Sequence, residues 1–404
     1  VTESCDYAAM SCTVCGADCT LQNGATRRCG DGFLDAQQEL CDGGECVERC
    51  GQFGVLISPE EGDANEAFGI SVDLLGELGV VGGGGGFSPE SGSGKAHLIG
   101  ADAEGVWSVI QELRPEAGLS ESAGFGSNVA MGPGMVMVGA PGEGDNGHVY
   151  VFFEDGGWAL GQEIEGKPGS QNFGLALDMS GDFAFISAPK EALSAGGTGA
   201  VYVYQRTIDE TNTVKWTNRQ RLEPRDQNGV VAFGTAISVH GDHGIVGAWN
   251  SGIQGRAYIF GRTSNGEWHE LESPDSFAAN EGTSFAQSVA MGDGFAAVGD
   301  PGDGNGQVFI YTPNLFGAWT QSSVIVPPQT TPQVSESQGQ GFGYALSVYG
   351  DQILIGSTEA SEPSFAGPGR AYLYGRTPSG DFQLLEGYSA AGSRPLDWFG
   401  KSVA

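Results

Sequence analysis

Two acidic glycine loops carry the residue types best suited to holding a hard cation. One is Glu143-Gly-Asp145-Asn146-Gly147 and the other is Asp300-Pro-Gly-Asp303-Gly-Asn305-Gly306. Both set carboxylates and amides at near-alternate positions, and calcium gathers roughly six to eight such oxygens. Glu143, Asp145, Asn146, Asp300, Asp303 and Asn305 are therefore the candidate calcium ligands, and calcium is the one cofactor the residues suggest. The same residue types also build polar turns that need no ion. Asp31, Asp35, Glu39 and Asp42 form a sparser acidic cluster.

Cysteine chemistry is confined to the start of the chain. Cys5, Cys12, Cys15, Cys19, Cys29, Cys41, Cys46 and Cys50 are all of its cysteines. An even, dense set reads as a disulfide framework in a secreted or surface protein. A module this small buries too little apolar surface to fold without such staples. The pairing stays open, since eight cysteines allow about 105 connectivities. Cys12-x-x-Cys15 and the Cys46, Cys50 pair have zinc-like spacing, but the segment has no histidine and no second Cys-x-x-Cys.

Catalytic constellations are sparse. The histidines are His97, His148, His240, His243 and His269. His240-x-x-His243 flanks a turn and lacks a third metal ligand. His97 and His148 read as matching third-strand starts, a structural placement. Ser93-Gly-Lys95-Ala96 imitates a phosphate loop, yet no Ser or Thr follows the lysine. No Gly-x-Ser-x-Gly elbow sits on a strand-to-helix turn. Carboxylate pairs occur by chance among 50 acidic residues, and none is singled out. The expectation is a protein that is not an enzyme. A net charge of −32 excludes nucleic acid and anionic membrane surfaces, which need basic patches. No signal peptide or apolar membrane span is present in the sequence.

The elements that must position these residues repeat. Phe-Gly begins at Phe68, Phe125, Phe173, Phe233, Phe342 and Phe399, with Phe285-Ala286 in the remaining gap. Each pair opens a unit of four short apolar runs rich in β-branched and aromatic residues, which read as strands. A two-residue turn parts the first two runs: Gly181-Asp182, Gly241-Asp242, Gly292-Asp293 and Gly350-Asp351, with Gly76-Glu77 and Gly132-Pro133 as variants. The second run ends in a Gly-Ala-Pro-like corner, as in Val138-Gly-Ala-Pro141 and Ile186-Ser-Ala-Pro189. The fourth begins near an aromatic: Trp107, Trp158, Trp216, Trp268, Trp319 or Phe382. Repeated four-stranded units with little helix signal predict a β-propeller whose aromatics wedge between blades.

On those two motifs, residues from about 52 onward resemble the FG-GAP repeat family, whose best-known members are integrin α-subunit heads. The resemblance implies a propeller. The family's calcium loop between first and second strands does not carry over, because the corresponding turn here is only two residues long. Glu3-Ser-Cys5-Asp6 recurs as Glu39-Leu-Cys41-Asp42, and with Cys29-Gly-Asp-Gly32 it resembles a disulfide-rich repeat of myxobacterial surface proteins.

The predicted fold class is all-β: a cysteine-rich module at 1–50, then an FG-GAP-type β-propeller at 51–404. Six complete four-stranded blades run from Phe68 to about Tyr388. An incomplete seventh has a first strand at Phe399–Ala404 and a fourth at Val55–Ser58. Its middle strands would come from a longer parent chain or from another chain adding strands to the open edge. The leading expectation for function is extracellular or cell-surface recognition of a protein or glycan. Long loops at Phe87–Lys95, Lys190–Thr198, Pro327–Gln340 and Thr358–Gly369 would form the contact face. One alternative is a structural subunit of an appendage or filament, joined to copies of itself through the open blade. A secreted hydrolase is the other.

Overall fold

A computed structural model describes residues 57, 67–84, 93–103, 105–193, 198–211, 213–227, 230–250, 253–271, 284–302, 305–328, 341–358, 369–388 and 399–404. It also gives the strand backbone at Ser4–Asp6, Ser11–Cys15, Leu21–Gly24 and Phe277–Ala278. The first three of these form a small antiparallel sheet in which Cys5 and Cys12 are backbone partners. The cysteine pairings, and Val55–Ser58 apart from Ile57, lie outside the described residues.

Six four-stranded antiparallel sheets follow one another along the chain as the blades of a propeller, with no helix among the described residues. Strand order within each sheet is sequence order. The second blade is typical: Val129–Gly132, Met135–Ala140, His148–Glu154 and Trp158–Glu165. The fourth blade adds Phe277–Ala278, which pairs with its third strand at Arg256.

Burial explains why these sequences settle as blades. Every residue of Met135–Ala140 is buried, because a middle strand is covered on both faces by neighbouring sheets. The outermost strand, Trp158–Glu165, alternates between covered and exposed positions, as an edge strand should. Five apolar clusters fill the spaces between consecutive blades. One joins Met137, Val149 and Val151 of the second blade to Phe173, Ile186 and Tyr202 of the third.

The two sequence motifs turn out to be halves of one joint. A Cβ on Gly139, in the Gly-Ala-Pro corner of the second blade, would lie 2.1 Å from the carbonyl oxygen of Gly174 in the next Phe-Gly. The same conflict would arise at Gly82 with Gly126, at Gly299 with Gly343 and at Gly356 with Gly400. Glycine is used there for close backbone approach. The phenylalanine beside it packs edge-on against its own blade's third strand. Phe125 meets Tyr150 at 5.5 Å and Phe152 at 6.4 Å, and Phe173 meets Tyr202 and Tyr204 likewise. Its backbone bridges the preceding blade, as Phe125 does to Gly94. This is the wedge expected from the sequence.

Two turns differ from the sequence reading. In the second and fifth blades the turn residues are Pro133-Gly134 and Asp293-Gly294, one position later than Gly132-Pro133 and Gly292-Asp293. There the second turn residue takes positive φ (67° at Gly134, 69° at Gly294), and glycine must occupy it. At Gly181, Gly241 and Gly350 the first residue takes it, as expected. Among the described residues Phe399–Ala404 joins no strand ladder, and Phe399 makes one parallel bridge to Gly369.

Candidate functional site

Topology sorts the connections onto two ends of the ring. First-to-second and third-to-fourth turns share one end. Second-to-third loops and the links between blades share the other. The strands flanking 87–95, 190–198, 327–340 and 358–369 all deliver these segments to that second, loop-bearing end. Residues 87–92, 194–197, 329–340 and 359–368 of these segments lie outside the described residues.

The candidate cation loops are at the same end, and their side chains diverge. The Glu143 carboxylate accepts hydrogen bonds from the Ser120 amide (2.9 Å) and hydroxyl (3.0 Å), back toward the link from the first blade. Asn146 turns the other way, and its Oδ1 accepts from the Gly169 amide at 3.1 Å. Asp145 is exposed. Asp300 is fully buried at the end of its strand, Asn305 is exposed, and Asp303 lies outside the described residues. Among the described residues no group of three or more His, Cys, Asp or Glu side chains gathers into a metal cage.

Histidines serve packing. His148 places Nδ1 3.1 Å from the Glu143 carbonyl and stacks on Tyr150. His97 packs against Phe68 and aligns with Tyr150, three residues after the glycine that opens each third strand, so the two histidines are not equivalent. His243 lies against Trp319, and burial holds its pKa below the usual value. His240 and Asp293 approach to 3.0 Å across adjacent turns. Arg206 with Asp182, and Arg262 with Asp242, pair at the turn-bearing end.

The strands nearest the axis hold a constellation the sequence reading missed. Asp73, on the first strand of blade one, accepts from the Met131 amide of blade two at 2.6 Å and from its neighbour Leu74 at 2.8 Å. Asp178 does the same from blade three, accepting from Val239 of blade four (2.7 Å) and from Met179 (2.7 Å). Asn128 links blade two to Leu177 of blade three (3.0 Å), and Ser238 links blade four to Met291 of blade five (3.1 Å). A side chain of each of blades one to four thus holds the innermost strand of the next blade.

Burial raises the Asp73 carboxyl to about 6 against the lowering effect of its two amide donors. Burial raises Asp178 to about 7, and the charge of Asp73 adds to the rise. Both carboxyls thus sit on innermost strands and hold protons more readily than free carboxylates. A sequence signal existed. Asp73, Asp178 and Ser238 each stand five residues after the phenylalanine of their Phe-Gly, where blades two and five have alanine.

An all-β propeller of interlocked four-stranded blades is the class these features define. Within it, the FG-GAP repeat family model matches residues 216–260, the fourth strand of blade three through the third strand of blade four. No curated protein matches the sequence. Among solved structures, a protein from Lactobacillus plantarum is 13% identical, with a TM-score of 0.51 over 95% of this chain and 93% of its own. A putative 6-phosphogluconolactonase from Bacteroides fragilis is 10% identical, with a TM-score of 0.52 over 80% and 85%. At these identities the likeness is one of fold.

Proposed function

We propose that this chain is an extracellular recognition protein, in which the propeller is a rigid platform and its loop-bearing end is the binding face. One observation carries the reading: the loops at 87–95, 190–198, 327–340 and 358–369, spread over three blades and a link, all emerge at the same end, while the opposite end is closed by two- to five-residue turns and Arg–Asp pairs. Long loops on a rigid scaffold are where binding residues concentrate. Strongly negative charge favours a ligand that is neutral or cationic, and a surface protein or glycan fits. The cysteine-rich module is the stapled spacer of an exported protein, and calcium at Glu143, Asp145 and Asn146 or at Asp300, Asp303 and Asn305 would stiffen the binding face. The test replaces 87–95, 190–198, 327–340 and 358–369 with Gly-Ser linkers of equal length. Binding to a glycan array and to immobilised surface protein should fall with the melting temperature held; binding that survives all four replacements contradicts the proposal.

A second reading rests on the Asp73 and Asp178 pair. Two carboxyls near neutral pKa on innermost strands are the residue types of a general acid and base. Turnover of a lactone or glycoside panel that Asp178→Asn abolishes would move the chain to the hydrolases.

A further inference from the structure

Neighbouring blades are clipped along their outer edges by a glutamine. Gln220, on the outermost strand of blade three, donates from Nε2 to the Trp268 carbonyl of blade four (2.5 Å) and accepts from the Trp268 amide at Oε1 (2.8 Å). Gln162 of blade two grips Trp216 of blade three in the same way. Gln111 of blade one donates to the Trp158 carbonyl of blade two. All three stand at one register position beside a β-bulge, opposite Leu98, Val151 and Val203 of their own third strands.

Blade five breaks the series. Ile310 faces Ser323 at that position. The serine ends well short of the next blade, and its buried hydroxyl has no partner among the described residues. Blade six opens its outermost strand with Phe382 in the tryptophan's place, opposite Arg376 as Trp268 is opposite Arg262. In both blades the turn pair just outside is hydrogen-bonded, Thr377 donating to Asp381 at 2.7 Å and Thr263 to Glu267 at 2.8 Å. Hydrogen-bonded and non-hydrogen-bonded pairs alternate along an antiparallel ladder. The N–H and C=O of Phe382 therefore point out of the sheet as those of Trp268 do, and Ser323 leaves them without the clip.

The rest of this edge is apolar. Leu384 and Leu385 are 36% and 48% exposed. Leu160, at the position of Leu384 in blade two, packs into the cluster shared with blade one. Phe382–Tyr388 contains no lysine or proline, the residues that commonly guard an edge strand.

The glutamine clips define what the Phe382 edge accepts: a donor and an acceptor side by side, serving both groups of one residue. The trans amide of an acetamido sugar fails, because its N–H and C=O point opposite ways. An extended peptide fits, because each hydrogen-bonded residue of a ladder offers both groups on one side. We infer that the outer edge of blade six, from Phe382 to Leu385, docks an extended segment of a partner polypeptide by strand addition. Side chains of that segment cover Leu384 and Leu385, and the neighbouring Asp381 and Glu386 favour one that carries basic residues. This edge lies on the outer rim of the ring and is separate from the loop-bearing face.

The probe is the synthetic peptide acetyl-Lys-Val-Thr-Val-Thr-Val-Lys-methylamide, titrated calorimetrically into the whole chain. Saturable binding is expected. Ser323→Gln, which restores the clip, should weaken it at least roughly tenfold while the melting temperature holds or rises. Ser323→Ala should bind as the unaltered chain does. The peptide N-methylated at its five central residues should not bind, since it lacks the donors. Without peptide, the Phe382 amide should exchange its hydrogen faster than the clipped amides of Trp216 and Trp268, and peptide should slow it. Absence of binding, equal binding by Ser323→Gln or by the methylated peptide, or a Phe382 amide as protected as that of Trp268 would overturn the inference. So would a dimer in sedimentation that Ser323→Gln dissolves while no peptide binds, which gives the edge to a second copy.

Discussion

Ala286 is the one alanine occupying the glycine place of a Phe-Gly joint, and it keeps the joint's backbone at a cost. Its φ is 64°, against 83–96° for the glycines at the equivalent positions. A β-carbon in that left-handed region is disfavoured by roughly 1 kcal/mol. Ala286→Gly should therefore stabilise the protein by about 0.5 kcal/mol in urea unfolding, the relief of the left-handed backbone outweighing the added chain entropy of glycine. At Asp178 the same scale sets a pH response. A carboxyl raised to about 7 in the folded chain, from 3.8 when free, binds more protons folded than unfolded between those values. Stability contributed by its proton is complete below about pH 4 and is lost as pH rises toward 7. Asp73 adds a second loss between about 4 and 6. Asp178→Asn should flatten the fall in unfolding free energy from pH 4 to 7, as measured by denaturant titration across that range. This carboxylate was not legible in the sequence, because aspartate stands at its repeat position in only two units and nothing local says which neighbour it will reach. The Phe-Gly joints were legible because glycine recurs at six of the seven, where a Cβ would crowd the preceding blade, as at Gly126 against the Lys95 carbonyl (2.1 Å), and only Ala286 departs.

At the scale of the strand, neighbouring blades are also clipped along their outer edges. Gln162 donates to the Trp216 carbonyl (2.9 Å) and accepts from its amide (2.8 Å). Gln111 donates in the same way to Trp158 at 2.7 Å. Each glutamine stands four residues after its own blade's tryptophan. In blade five that place is Ser323, whose buried hydroxyl is too short for the reach. Gln162→Ala should cost about 1–3 kcal/mol, because it leaves both backbone groups of a buried edge unsatisfied. Ser323→Ala should change stability by less than about 0.5 kcal/mol. Thermal unfolding of the two variants checks both. Strand existence and order were read correctly from apolar runs bounded by turn residues. Turn register was not, in Gly132-Pro133-Gly134 and Gly292-Asp293-Gly294, because two glycines bracket the turn and either frame fits the local sequence. Only the strand pairing, Gly132 with Met135 and Gly292 with Phe295, decides it.

On the scale of the whole molecule, interlocking joints make a ring whose two ends differ in kind. One end is short turns and ion pairs; the other gathers long loops. That division follows from four strands per blade, so the repeat count alone announced it, while the ligand is written in loop residues that obey no period. The account's central claim is that recognition takes place at the loop-bearing end. The direct measurement is ligand capture by two proteins, each given one added surface cysteine and labelled there with a bulky polyethylene glycol, the attachment site verified by mass spectrometry. One label sits at Glu121→Cys, exposed on the link between blades one and two, and the other at Glu210→Cys, exposed in a turn of blade three. The account predicts that the label at 121 abolishes binding to glycan-array or surface-protein targets and that the label at 210 leaves it unchanged. Loss of binding with the label at 210 alone would contradict it.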